Sequence, residues 1–112
     1  MNPVVVYQKD QRLSLIAFDD GKANVFNPNS IAALNDAFNR AEEDDTHSVI
    51  VSGRTGCFSG GLDLKTLPTL GPDGLKKFLR SYAAAMMRIF LFPKPVIAAC
   101  TGHALAGGCI FL

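Results

Sequence analysis

The fold is decided by residues 57–65, Cys57-Phe58-Ser59-Gly60-Gly61-Leu62-Asp63-Leu64-Lys65, a glycine-rich turn that comes after a short apolar strand predicted at residues 48–52. A second glycine-rich turn, residues 101–109, follows an apolar run at residues 96–100. Glycine lets a ligand approach a peptide N–H directly, which is what a backbone oxyanion hole requires. We expect a helix to begin near Ala106, and the N-terminus of a helix favours negative charge. The two turns therefore predict two N–H donors that converge on one oxygen and stabilise an enolate or a tetrahedral oxyanion.

The segments around these turns predict an α/β protein. Residues 4–7 and 12–18 carry β-branched or alternating apolar side chains, which predict a hairpin of two strands around a loop at residues 8–11. The run at residues 96–100 is apolar on both faces, as is typical of a strand covered on two sides. The predicted order is strand, strand, helix, strand, helix, strand, helix, which favours crossover connections.

Two amphipathic helices are predicted between the strands. Asn27 can cap the first helix, and Pro28 suits its first position. The predicted apolar stripe of this helix consists of Ile31, Leu34, Asn35, Phe38 and Ala41. The second helix is predicted at residues 72–92, and Pro93 is expected to end it. Its predicted inward side carries Leu75, Phe78, Leu79, Tyr82, Met86, Ile89 and Phe90.

Composition excludes several classes of function. The 112 residues include 11 basic and 10 acidic side chains spread along the chain, and without a basic stripe we expect no nucleic-acid partner. No apolar run approaches the roughly 18 residues of a membrane span, and the N-terminus does not resemble a leader, so we expect no membrane and a cytoplasmic location. The three cysteines form no C-x-x-C pair, which favours reduced thiols and no metal site.

Three blocks of the sequence, in the expected order, resemble the crotonase (enoyl-CoA hydratase/isomerase) superfamily. Residues 58–65 resemble that family's pattern of phenylalanine, two small residues, glycine, any residue, aspartate, an aliphatic residue and lysine. Residues 94–99, Lys-Pro-Val-Ile-Ala-Ala, resemble its second block, which continues here with Gly102, Ala104, Gly107 and Gly108. Residues 20–25, Asp-Gly-Lys-Ala-Asn-Val, look like its adenine-pocket segment.

The resemblance covers essentially all of the chain and implies the crotonase fold, a spiral of β-β-α repeats with two roughly perpendicular sheets. Residues 1–112 would form the N-terminal part of a single domain. The last residues, 107–112, are glycine or apolar with no polar tail, so we expect the natural chain to continue into the C-terminal helical part of that domain. Family members usually assemble as trimers or pairs of trimers, which implies a homotrimer or hexamer for the full-length protein.

The resemblance also implies an enzyme of lyase or isomerase type, acting on an acyl-CoA thioester in fatty acid metabolism. Gly60 and Gly107 match the two positions whose N–H groups form the oxyanion hole, and they are the predicted catalytic positions. Coenzyme A enters as part of the substrate, so no separate cofactor is expected. The predicted substrate-binding residues match the stretches around the CoA adenine, pantetheine and thioester: Lys22, Ala23, Val25, Ser59, Gly61, Leu62, Asp63 and Leu64.

The sequence departs from the hydratases of the family at Ile110. Hydratases have a glutamate there, three residues after the second oxyanion glycine, and an aliphatic side chain cannot move a proton. The second hydratase glutamate would fall after Leu112, where we expect the acid/base group. Two readings follow: an acyl-CoA isomerase, hydrolase or hydratase, or an inert scaffold of the same fold that only binds CoA.

Three further residues near the turns carry chemically active groups. Asp63 is interpreted as a carboxylate that orders the loop, with proton transfer as the less favoured alternative. His103 has a side chain suited to acid/base work, although it occupies a position where the family tolerates many residues. Cys109 could act as a nucleophile at a helix N-terminus, but a small buried side chain is the commoner role of cysteine.

Overall fold

The computed structural model describes residues 4–22, 24–54, 56–99 and 102–104. In chain order the elements are β1 Val5–Asp10, β2 Leu13–Phe18, β3 Val25–Phe26, α1 Pro28–Glu43, β4 Ser48–Ser52, β5 Gly56–Ser59, β6 Gly61–Leu62, a short 3-10 helix Leu67–Leu70, α2 Gly71–Phe90, β7 Val96–Ala99 and β8 Gly102–Ala104. None of the helices in these segments is long and apolar enough to cross a membrane.

The strands form one four-stranded sheet and two strand pairs. The sheet has the order β1-β2-β4-β7, in which β1 and β2 are antiparallel and β2, β4 and β7 run parallel. After each of these parallel strands the chain leaves the sheet, and the strands that follow pair among themselves, β3 with β6 and β5 with β8, again in parallel. This repeat of strand, strand and helix confirms the α/β fold class.

The hairpin forms as predicted, but its first strand is longer than expected. Gln8 pairs with Leu15 and Lys9 with Ser14, so residues 8–10 of the predicted loop belong to β1. The turn is confined to Gln11 and Arg12, where Gln11 has a left-handed φ of 56°. The polar side chains are tolerated in β1 because they are exposed to solvent there.

Most of what the sequence predicts for helix α1, its N-terminal cap and its buried stripe, is confirmed. Asn27 caps it: the side-chain oxygen accepts from the Ser30 N–H, the Ser30 hydroxyl accepts from the Asn27 N–H, and Pro28 is the first helical residue. The predicted stripe is buried except at Asn35, which is partly exposed, and the buried face of α1 consists of Ser30, Ile31, Leu34, Ala37, Phe38 and Ala41.

Helix α2 buries a narrower face than its pattern predicts. Phe78 and Ala85 are buried, and the ring of Phe26 packs against that of Tyr82 at a tilt of 53°, with centroids 5.4 Å apart. The predictions for Leu79 and Phe90 are wrong, because these side chains are 42% and 81% exposed. The reason is geometric: the core lies on one side of α2, and the stripe that contains Leu79 and Phe90 points away from it.

The chain after α2 differs from the prediction in two respects. Strand β7 is not covered on both faces within the described residues, since Ile97 is 52% exposed. Residues 102–104 form β8 instead of a turn, because they pair with β5. The local sequence could not predict this pairing, since its partner is distant in the chain. The helix predicted near Ala106 lies outside the described residues.

A connected set of polar side chains links the C-terminal end of α1 to strands β1 and β2 and to the loops before β4 and β7. Lys94 Nζ donates to the carbonyls of Ala41 and Asp44 and to Thr46 Oγ1. Thr46 Oγ1 lies 2.6 Å from the hydroxyl of the fully buried Ser14, which in turn lies 2.9 Å from Tyr7 Oη. Tyr7 Oη then donates to Asp44 Oδ2 over 2.6 Å. Lys94 is therefore a side-chain cap for carbonyls that the helix itself leaves unpaired.

Replacing Lys94 with methionine is expected to destabilise the fold while preserving its packing volume. The Lys94→Met change leaves the carbonyls of Ala41 and Asp44 without their donor, at a cost of about 1–3 kcal/mol in the free energy of unfolding. Urea unfolding measures this difference. The matched control is Lys76→Met on the exposed side of α2, where a change below about 0.5 kcal/mol is expected. Equal effects of the two substitutions would contradict the capping role.

Candidate functional site

The short β3–β6 pair joins two segments of the chain that the sequence analysis assigned to CoA binding. Val25 pairs with Gly61 and Phe26 pairs with Leu62, and the Asp63 N–H donates to the Phe26 carbonyl over 2.9 Å. The stretch around Lys22 to Val25 and the stretch from Ser59 to Leu64 therefore lie side by side, although more than 30 residues separate them in sequence. This proximity is required if both segments are to contact one ligand.

The β5–β8 pair brings together the two segments that precede Gly60 and Gly107 in the sequence. Cys57 pairs with His103 and Ser59 with Ala104, with a bulge between them. Because the strands are parallel, their C-terminal ends meet at the same edge. Gly60 follows Ser59 directly and is partly exposed there.

Several residues that the sequence predicts to form the site lie outside the described residues. Gly107, Ala23, Cys109 and Ile110 lie outside the described residues, so their predicted roles stay predictions. His103 is described through its backbone in β8, and its side chain lies outside the description. Among the described residues, no cluster of three His, Cys, Asp or Glu side chains could hold a metal ion.

Asn24 occupies the centre of the site's hydrogen-bond network, a role that the sequence analysis missed. It is fully buried and has a left-handed φ of 53°. Its Nδ2 donates to the carbonyls of Phe18 at 2.7 Å, Phe58 at 3.1 Å and Cys57 at 3.3 Å. Its Oδ1 accepts from the Asp20 N–H at 2.9 Å. One side chain thus connects the end of β2, the loop after it and β5.

Ser59 connects Asn24 to the glycine turn. Its hydroxyl donates to the Asn24 carbonyl over 2.7 Å and accepts from the Gly61 N–H over 3.1 Å. Ser59 is fully buried, so its side chain serves the internal order of the turn. Gly61 adopts a φ of 90°, a backbone conformation that residues with a Cβ rarely adopt. The turn around Gly60 is therefore fixed from both sides.

Asp63 orders the chain after the turn, as the sequence analysis favoured. Its Oδ1 accepts from the N–H groups of Lys65 and Thr66, and its Oδ2 accepts from the Thr66 hydroxyl at 2.7 Å and from Asn27 Nδ2 at 3.1 Å. The hydrogen bond from the Thr66 hydroxyl is the main cause that lowers the pKa of this carboxyl group. All four partners are donors, so the carboxylate is held ionised and well suited to an ordering role.

The remaining predicted binding residues differ in exposure. Lys22 is exposed, and its carbonyl accepts a hydrogen bond from the Arg54 guanidinium, a contact across 32 residues that no sequence signal announced. Val25 and Leu62 are partly exposed on the paired strands, whereas Leu64 is 80% exposed just beyond them. The site thus offers a partly apolar edge with Lys22 and Arg54 at one end, where Arg54 also lies 3.9 Å from the carboxylate of Asp19.

Replacing Asp63 with asparagine is expected to loosen the turn, because the new NH₂ group would face donors. Asp63→Asn should lower the free energy of unfolding by about 1–3 kcal/mol at neutral pH. Since the folded-state pKa lies below the unfolded value, the contribution of Asp63 is complete above the unfolded value and is lost as the pH falls through the folded one.

Unfolding by urea at pH 7 and at about pH 3 measures this dependence. The difference between wild type and Asp63→Asn should shrink at the lower pH, because protonation removes the same acceptor. Asp36→Asn, on the exposed side of α1, is the control and should show little difference at either pH. A difference that is constant with pH would exclude the ionised carboxylate as the ordering group.

Comparison with known proteins places this geometry in a family. Residues 8–112 match the Enoyl-CoA hydratase/isomerase family. A probable enoyl-CoA hydratase of Bacillus subtilis (strain 168) is 32% identical over 101 residues, which cover 88% of this chain and 39% of the relative.

Solved structures extend the comparison to the whole described fold. Two structures of one Mycobacterium tuberculosis protein are 38% identical to this chain. One, named an enoyl-CoA isomerase, covers 100% of this chain and 48% of the solved chain with a TM-score of 0.91. The other, named a probable enoyl-CoA hydratase, covers 99% and 47% with a TM-score of 0.92. This chain thus spans less than half the length of these relatives, and over that length it belongs to the enoyl-CoA hydratase/isomerase family.

Proposed function

We propose that this chain contributes an oxyanion hole to an enzyme that acts on acyl-CoA thioesters. The carbonyl oxygen of the thioester would accept hydrogen bonds from the N–H groups of Gly60 and Gly107. Negative charge grows on that oxygen as an enolate or a tetrahedral intermediate forms, and each such donor contributes about 3 kcal/mol of transition-state stabilisation.

The observation that carries this proposal is the parallel pairing of β5 with β8. β5 comes directly before Gly60 and β8 precedes Gly107 in the sequence, and parallel pairing brings the C-terminal ends of the two strands to one edge. Gly60 is one residue beyond Ser59, and Gly107 is three residues beyond Ala104. Such short connections favour convergence of the two turns on a common point.

The paired segments β3 and β6 supply the binding surface for CoA in this proposal. Backbone carbonyls and N–H groups of the two segments would recognise the adenine and pantetheine, with Val25 and Leu62 providing apolar contact. The exposed Lys22 and the neighbouring Arg54 would favour the negatively charged phosphates of CoA. Asp63 holds the segment in place and takes no part in proton transfer.

The reaction class is narrowed by Ile110, three residues after Gly107 in the sequence. Because this position carries no carboxylate, the proposal favours isomerase-type or other enolate chemistry over strict hydration, with the proton moved by a group elsewhere in the enzyme. A cytoplasmic location and assembly into trimers or hexamers complete the proposal, following the family resemblance.

The oxyanion hole is tested by absorbance titration of the protein, at its full natural length, with acetoacetyl-CoA. Binding should produce the absorbance of the enolate, because two N–H donors stabilise the charged oxygen. Gly60→Pro removes one N–H and should weaken the enolate form by about 100-fold or more. Asp36→Asn, on the exposed side of α1, is the control and should keep the full enolate signal.

Three outcomes discriminate between the readings. An enolate signal that survives Asp36→Asn but not Gly60→Pro supports the oxyanion hole. Binding of acetoacetyl-CoA without enolate absorbance supports the inert scaffold, and absence of binding contradicts both. Circular dichroism of the two variants verifies that the proline variant remains folded.

A further inference from the structure

Asn24 differs from the other buried polar residues in the number of segments that its side chain joins. The three carbonyls that Nδ2 contacts belong to Phe18 in β2 and to Cys57 and Phe58 in β5. An amide NH₂ has two hydrogens, so three acceptors at 2.7–3.3 Å use its full donor capacity. The side chain therefore holds β5 against the end of β2 at the residues that lead into Gly60.

The backbone of Asn24 reaches the other side of Gly60. The Asn24 carbonyl accepts from the Ser59 hydroxyl at 2.7 Å, and that hydroxyl accepts from the Gly61 N–H at 3.1 Å. Taken together, the contacts of Asn24 fix Phe58 and Ser59 before Gly60 and, through Ser59, Gly61 after it. The orientation of the Gly60 peptide is set by these neighbours.

We propose that Asn24 is a positioning residue that aims the Gly60 N–H at the substrate carbonyl, an inference that rests on the proposed function. Oxyanion stabilisation depends on donors that are oriented before charge develops. A donor that is displaced by about 1 Å can lose on the order of 100-fold in rate. Asn24 touches neither the substrate nor the reacting atoms in this proposal and acts only through the turn.

Asparagine suits this position for two physical reasons. Its φ of 53° lies in the left-handed region, which asparagine tolerates better than most residues with a Cβ. Its Nδ2 is a donor, which the carbonyls of Cys57 and Phe58 require and which aspartate lacks. Glycine would keep the backbone conformation and remove only the amide, so Asn24→Gly isolates the role of the side chain.

The test compares two ligands with the protein at its full natural length. Free CoA has no acyl carbonyl and reports on binding of the CoA moiety, whereas the enolate absorbance of acetoacetyl-CoA reports on the oxyanion donors. Asn24→Gly should reduce affinity for the enolate form by about 10- to 100-fold more than it reduces affinity for free CoA, because Asn24 also holds Asp20 in the segment assigned to CoA. Ser59→Ala, which breaks the link to Gly61, should act in the same direction, and the double variant should show less than the sum of the two effects in free energy.

Ser14→Ala is the matched control for loss of stability. Ser14 is also a fully buried polar residue, but it belongs to the separate network of Tyr7 and Thr46. This variant should unfold more easily than the wild type and yet retain the full enolate signal. Thermal unfolding of all variants shows that the comparison is made between folded proteins.

The outcomes separate this inference from the proposed function. If wild type forms the enolate and Asn24→Gly does so equally well, or loses enolate and CoA affinity in parallel, the positioning role is wrong and the proposed function stands. If Asn24→Gly does not fold, Ser59→Ala decides: loss of enolate affinity with CoA affinity kept supports the inference, and an unchanged enolate signal overturns it. A wild type that binds no acyl-CoA overturns both.

Discussion

A single buried amide, the side chain of Asn24, connects the parts of this molecule that must meet for a site to exist. It lies between β2 and β5 and hydrogen-bonds to carbonyls of both, while its backbone holds Ser59. A buried polar side chain is costly unless every hydrogen-bonding group is satisfied, and Asn24 satisfies its own by joining two strands that belong to different sheets. The register of the site follows from that requirement.

The regular elements could be predicted from the sequence because their signals are local. Asn27 and Pro28 indicate the start of α1, and the helical spacing of Leu34 and Phe38 indicates its buried face. At the fold level, the three blocks in order identified the family, which the match over residues 8–112 confirms. Local signals and block order together gave the fold class and the segments of the candidate site.

The contacts that build the site could not be predicted, because they depend on residues distant in sequence. β3 and β6 have two residues each, too short for a periodic pattern, and they exist because each pairs with the other. The pairing of β8 with β5 and the contact of Arg54 with Lys22 are of the same kind. For α2, periodicity found the helix but overestimated the width of its buried face at Leu79 and Phe90, since periodicity reports amphipathicity and not the extent of the neighbouring core.

The polar outer part of β1 has a consequence for how copies of this chain can meet. β1 is the terminal strand of the four-stranded sheet, and such a strand can template the addition of a strand from another molecule. Gln8, Lys9 and Asp10 are exposed along it, and Lys9 forms an ion pair with Asp45. Charged side chains at a sheet edge discourage intermolecular strand pairing and thereby aggregation. Edge-to-edge pairing of β1 with a second copy of the chain is consequently disfavoured.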